Sequence, residues 1–240
     1  MYKMIFAIMA LVTLSFPALS QNLNLNAYKR WPDIEVANFE SQLDGMKALP
    51  QIYSKARGVT IFAAINNVNN RALRKLKLEA AMLGADAIYV SNNYQKGVQF
   101  YSPVQVAYTA TPYVKEPITV ERVKSLLQDR NYHPRTLTRY NRNRFGPSTD
   151  SMLHTKQPME LEEPYEENGY VFLDLALTDV KRPYRVVRIT EQQIILARII
   201  KADKIIENYE LVAVDGKRIE ELPEKSNKSV MKQVFPFAGE

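Results

Sequence analysis

The apolar positions of this chain follow a strand period first, then a helix period, then a strand period again. DIEVANF at 33–39 alternates with a period of two and predicts a short strand. GVTIFAAINN at 58–67 is a near-continuous apolar run. Val59, Ile61, Ala63 and Ile65 fall on one face and Phe62 and Ala64 on the other, the pattern of a strand covered on both sides. Asn70 has the chemistry of an N-cap. Leu73, Leu76, Ala80 and Leu83 then recur at three- and four-residue spacing, the apolar stripe of an amphipathic helix. Arg71, Arg74, Lys75 and Lys77 largely fall off that stripe and read as a solvated face. Gly84 is placed to end the helix in a left-handed conformation. Ala87-Ile88-Tyr89-Val90 and SPVQVAYTATPYV at 102–114 follow as partner strands joined by the turn chemistry of NNYQKG. Thr119 caps a second helix, VERVKSLLQDR, with Val120, Val123, Leu126 and Leu127 inward.

From 131 to 168 the periodicity is lost. Pro134, Gly146, Pro147, Pro158 and Pro164 punctuate a stretch that is arginine-rich first and glutamate-rich later, which predicts a linker or long loop. Order returns with YVFLDLALTD, YRVVRI, QIILARII and KIIENYELVAVD, and Asp215-Gly216 suits a tight hairpin. The expected fold is α+β: a small strand-strand-helix-strand-strand-helix unit over 21–130, with a loose lead-in at 21–32, followed by an antiparallel β-meander of four or five strands over 169–222 and a tail at 223–240. A meander with one apolar face needs a cover, so it should pack on the first unit or on a partner.

Residues 1–20 change the picture of where this fold resides. Lys3, the apolar run Ile5 to Phe16, Pro17, and small Ala18 and Ser20 make the three parts of a secretory signal peptide with a cut at Gln21. The run is too short to span a bilayer, and no later stretch is long enough. The expectation is an exported protein, periplasmic or secreted. There is no cysteine, which excludes disulfides, thiolate metal sites, a cysteine nucleophile and lipoprotein anchoring. Without disulfides the chain must rely on a sizeable core, and its length permits one. The net charge of +6 includes Lys3, the sole charge of residues 1–20, so cleavage leaves +5. That excess favours anionic surfaces without singling out nucleic acid.

Glu79, Ala80, Leu83, Gly84, Ala85, Asp86 and Ala87, followed by Thr109 and Ala110, resemble the hallmark of the YbjQ-like heavy-metal-binding domain family: a helix ending in Glu-Ala…Leu-Gly-Ala-Asp-Ala, then two strands. The resemblance covers 33–114 and implies a small α+β domain. The family name implies metal, yet the matched segment holds neither cysteine nor histidine, so no residue carries over as a ligand.

Catalytic motifs are missing: no Gly-rich phosphate loop, His-Glu-x-x-His or Gly-x-Ser-x-Gly occurs. His133 and His154 lie in the polar segment and read as solvated loop residues rather than bases. Asp86, just past a helix C-terminus, reads as a turn residue. Glu162, Glu163, Glu166 and Glu167 lack a calcium-loop spacing and read as a solvated acidic run. Tyr28, Trp31 and Pro32 could offer a sugar platform, although a lone tryptophan near a terminus reads first as a packing anchor. RNYHPRTLTRYNRNRF at 130–145 is the strongest candidate. Arg135, Arg139, Arg142 and Arg144, with Tyr132 and Tyr140 and with Arg130 and Phe145 at the ends, combine forked cations with stacking surfaces suited to an anionic ligand. The competing reading is a basic linker paired with the acidic run downstream.

The expectation is therefore a non-catalytic cell-envelope protein, a binding or scaffolding module with no cofactor and no metal. Its partner would be an anionic envelope component or another envelope protein, with homo-oligomerisation open and nucleic acid not expected. The alternatives are a hydrolase whose carboxylates gather in three dimensions and a metal-handling envelope protein.

Overall fold

The computed structural model describes residues 27–60, 63–97, 102–144, 146–151, 161–176, 181–200 and 204–213. The signal-like residues 1–20, His154, Phe145, Asp215-Gly216 and the tail lie outside them. Strands β1 (Glu35–Ala37), β2 (Lys47–Ala48), β3 (Ile52–Arg57), β4 (Ala87–Lys96) and β5 (Gln105–Val114) form one sheet around the β4–β5 hairpin. The pairing β1–β4 is parallel and the others in this sheet are antiparallel. Strands β6 (Tyr132–Asn141), β7 (Ser148–Ser151), β8 (Tyr165–Glu167), β9 (Tyr170–Ala176), β10 (Lys181–Thr190), β11 (Gln193–Ile200) and β12 (Ile205–Ala213) form the second sheet, in the order β7-β6-β12-β11-β10-β9-β8. The helices are α1 (Ile65–Met82) and α2 (Val120–Asp129). The class is α+β with a β-meander, β8 to β12, as the periodicity predicts.

Helix α1 joins the two sheets. Leu76, Ala80, Ala81, Met82 and Leu83 share one core cluster with Ile52, Ile88 and Ala110 of the first sheet and with Tyr140 and Ile206 of the second. Every residue from Leu78 to Ala85 is buried, so the last turns of the helix are apolar all round apart from Glu79. The second helix serves the second sheet: Val123 packs with Leu137, Leu173, Tyr209 and Leu211. Thr119 caps it, its hydroxyl accepting from the Arg122 N–H at 3.4 Å.

Gly84 has φ +80°. Its N–H donates to Ala81 O at 3.1 Å and the Ala85 N–H to Ala80 O at 3.0 Å, the paired bonds of a Schellman ending. A side chain at Gly84 would run into the Val187 backbone carbonyl of β10 and lie 2.9 Å from the Val187 Cβ. The glycine therefore serves both the reversal and the close approach of the second sheet.

Three sequence expectations are corrected. The described residues of the run at 58–67 form no strand: β3 lies earlier, at Ile52–Arg57, and α1 begins at Ile65. Buried Val68, Ala72 and Leu76 recur every four residues, so the end of the apolar run belongs to the helical period. Asn70 consequently sits inside α1, whose N-cap is Ala64. The segment 131–168 is not a linker either. It contains β6, β7 and β8, and β6 pairs with β12 along its whole length. Two causes hide β6 in the sequence. A bulge at Pro134–Thr136, opposite Glu210/Leu211, shifts the alternation. Both faces are covered, so Tyr132 and Leu137 join the α2-side cluster while Tyr140 joins the α1-side cluster. Further along, Asn168 (φ 51°) and Gly169 (φ 75°) make the tight turn between β8 and β9.

Candidate functional site

A groove of about 620 Å³ opens between the two sheets beside α1. One wall is β3, the free edge of the first sheet, from Tyr53 to Arg57. Arg71 and Lys75 of α1, Tyr140, Arg142 and Asn143 at the end of β6, and Lys204 before β12 complete it. Its charged lining consists of Lys55, Arg57, Arg71, Lys75, Arg142 and Lys204; among the described residues no carboxylate lines it.

Backbone carbonyls hold several of these cations in place. Arg71 Nη2 donates to Arg57 O at 3.1 Å, and Lys75 Nζ donates to Lys55 O at 3.3 Å and to Arg142 O at 3.2 Å. These bonds also occupy outward carbonyls of an edge strand, which keeps β3 from recruiting another chain through them. Arg142 is fixed from behind. Its guanidinium grips the buried Glu79 carboxylate, with Nε 3.0 and 2.9 Å from the two oxygens and Nη2 bonded to Oε1 as well. Burial pushes the Glu79 carboxyl up from its ordinary value, and the Arg142 guanidinium opposes that push. The Arg142 N–H donates to Lys204 O at 3.1 Å, which ties the two turns of the second sheet together.

The electrostatics of the groove are those of cations held against one another. Burial, then the charge of Arg71, holds the Lys75 ammonium below its ordinary pKa. The Ser54 hydroxyl, buried in the β3 wall, has no hydrogen-bond partner. Fixed positive charge and an unmatched hydroxyl together suit an anionic oxygen ligand.

The strip expected from 130–145 is not assembled as one surface. Tyr132 is buried against α2-side residues, and Tyr140 is 1% exposed in the other core, where burial pushes its phenol up. Arg139 is neutralised by Glu207 at 2.8 Å and Asp150 at 3.4 Å, and the Glu207 bond pushes its pKa further up. Arg135 falls in the bulge of β6, and Arg144 is exposed in the turn after it. Arg142 and Tyr140 alone of the six reach the groove. The sequence reading missed Lys55, Arg57 and Lys204, and it assigned Arg71 and Lys75 to a solvated face. The four-residue step from Arg71 to Lys75, which stacks them on one side of α1, was the available signal.

The remaining candidates hold structure together. Asp86 accepts from Arg30 at 3.2 Å and from the Lys115 N–H at 3.0 Å, so it ties the N-terminal 3-10 turn and the end of β5 rather than its own turn. Trp31 and Tyr28 pack against the α1 core, with the Arg74 guanidinium 5.2 Å from the Trp31 ring. Glu163 pairs with Lys124 at 3.4 Å, and Glu166 and Glu167 are exposed on β8. His133 is half-buried on β6; its Nδ1 has no partner, and burial holds its pKa down. Among the described residues no three His, Cys, Asp or Glu are grouped to hold a metal ion, and no helix is long and apolar enough to cross a membrane. No family model, curated protein or solved structure matches the chain.

Proposed function

We propose that the protein is an exported, non-catalytic binding module of the cell envelope, and that its ligand is an anionic envelope component held in the β3–α1–β6 groove. The observation that carries this is the groove's lining, six cations, of which Arg142 is gripped from behind by Glu79, and no carboxylate among the described lining residues. Export rests on the signal-like pattern of residues 1–20. The kinship of residues 33–114 with the YbjQ-like family is part of the same proposal, supported by the order α1, Gly84, β4, β5.

Inorganic tripolyphosphate is a suitable probe, because it presents several anionic oxygens and no sequence. Calorimetric titration at low salt should show binding that weakens steeply toward physiological salt. Lys55→Gln with Arg57→Gln, both exposed on β3, should lose most of that affinity while melting like the parent. Arg135→Gln with Arg144→Gln should bind like the parent, since neither residue lines the groove. Absence of binding by the parent at low salt would sink the reading.

A further inference from the structure

An apolar rim borders the groove at its β3–α1 end. Val59 follows Arg57 by two residues and is 81% exposed; Ile65, the first residue of α1, is 40% exposed. Arg57 lines the groove, and the next residue, Gly58, closely approaches Ala63, so Val59 and Ile65 stand one and two residues from that contact, at the Arg57 end of the groove. Val59 is held out rather than left loose. Its neighbour Gly58 is buried and its N–H donates to Val104 O at 2.7 Å. A side chain at Gly58 would lie 2.8 Å from the Ala63 Cβ, so the connection turns tightly there. Tyr53, 47% exposed, adds an amphipathic ring to the same groove wall.

A soluble polyanion gives Val59 and Ile65 nothing to touch, and holding apolar side chains in water gains no stability. A bilayer surface satisfies both halves at once. Phosphate oxygens meet the cations, and the acyl boundary receives the apolar rim. We infer that the groove takes the headgroup of an anionic phospholipid, with Val59 and Ile65 entering the interface of the membrane that presents it. This inference rests on the anion-binding reading of the groove and adds the source of the anion.

The test uses the purified full chain with vesicles of phosphatidylcholine alone and of phosphatidylcholine mixed with phosphatidylglycerol, beside the tripolyphosphate titration. The parent should sediment with the mixed vesicles only. Val59→Ser with Ile65→Ser should weaken that binding by about tenfold or more, the scale of losing two partly buried aliphatic side chains, and should leave tripolyphosphate affinity and the melt unchanged. Lys55→Gln with Arg57→Gln should lose both ligands. If the parent binds tripolyphosphate but not mixed vesicles, or if the serine variant binds vesicles as the parent does, the membrane inference falls and the anion groove stands. If the parent binds neither, both fall. Equal sedimentation with pure phosphatidylcholine would also overturn the inference, because charge would then play no part.

Discussion

At the C-terminal end of α1, Met82 O accepts from Asn208 at 2.9 Å, Leu83 O accepts from Arg185 at 2.8 Å, and Glu79 is gripped by Arg142. Two turns earlier on the same helix, Arg71 and Lys75 stand beside other cations along an open groove. Leu78 to Ala85 carries a single charge, Glu79, whereas Arg71 to Lys77 carries four cations. The second sheet supplies different groups to the two. Against the C-terminal end it brings donors and a carbonyl wall, and Arg142 there matches the charge of Glu79. Against the earlier turns it brings Lys204 and the backbone of Arg142, and no carboxylate is among the described residues that line the groove. The first arrangement holds the molecule together, and the second sets cations beside one another.

The closed end is where substitution should cost most. Gly84→Val places a β-branched residue at φ +80° and drives its side chain into the Val187 carbonyl. Backbone strain alone is worth about 1–3 kcal/mol. Separation of α1 from β10 adds to it, so a total above about 4 kcal/mol is expected in denaturant melts, at the exceptional end of single substitutions. Gly84→Ala should still be severe, because the methyl group meets the same carbonyl. A melt unchanged by either variant would show that β10 does not close on this turn.

Glu79→Ala comes next. It leaves Arg142 without its counter-charge at a position where 26% of that side chain is exposed. A fully buried broken pair costs about 3–5 kcal/mol, and the residual exposure brings the expectation nearer 2–4. The same substitution adds an unmatched cation to the groove, so tripolyphosphate affinity should rise in the variant as stability falls. If the two moved together, the separation of holding charge from binding charge would be wrong.

Glu210 makes the closed side sensitive to pH. It is 2% exposed on β12, accepting from Thr136 at 2.6 Å and from Gln193 at 2.9 Å, and burial pushes its carboxyl up to about 7 against the opposing pull of Thr136, Arg135 and Lys29. Between the ordinary carboxyl value and about 7 the native state therefore holds a proton that the unfolded chain has released. The unfolded state binds fewer protons in that window, so stability is full below it and declines as pH rises through it. The decline should be on the order of 2–3 kcal/mol. Glu210→Gln should flatten it when denaturant midpoints are compared near about pH 5 and about pH 8. An unflattened profile would assign the decline to another group.

What was legible in the sequence follows the same division. The ending of α1 could be read because a Schellman turn is specified within six residues, Ala80 to Ala85, and glycine at 84 is its local requirement. The meander could be read because β10 to β12 are long and dense in β-branched residues and β9 alternates aromatic and aliphatic ones. Strand β6 could not, since a bulge at Arg135 and burial on both faces erase the period of two across Tyr132, Leu137 and Tyr140. The Asn168-Gly169 hairpin carried its own signal, obscured by flanking glutamates. The groove was illegible for a different reason. Its walls come from 53–57, 71–75, 140–143 and 204, and a cation on a helix face looks the same whether water or another cation stands opposite.

The smallest effect expected belongs to the open side. Exposed cations repel weakly in water, and salt shortens their reach to about 8–10 Å at ordinary ionic strength. Lys55→Gln with Arg57→Gln removes two charges that no described carboxylate in the groove offsets. The variant should be unchanged or more stable than the parent by no more than about 0.5 kcal/mol at low salt, and the gain should vanish at high salt. The parent's own melting temperature should rise on adding sodium chloride, more than the variant's does, because the ions do part of what the substitution does. Sulfate should raise it further than chloride at matched ionic strength in both proteins, because it is excluded from any folded surface. The excess should be larger in the parent, where a divalent oxyanion meets Lys55 and Arg57 together with the other cations of the groove. That difference distinguishes a site from a merely positive surface, and an equal sulfate excess in the two proteins would reduce the groove to ordinary surface charge.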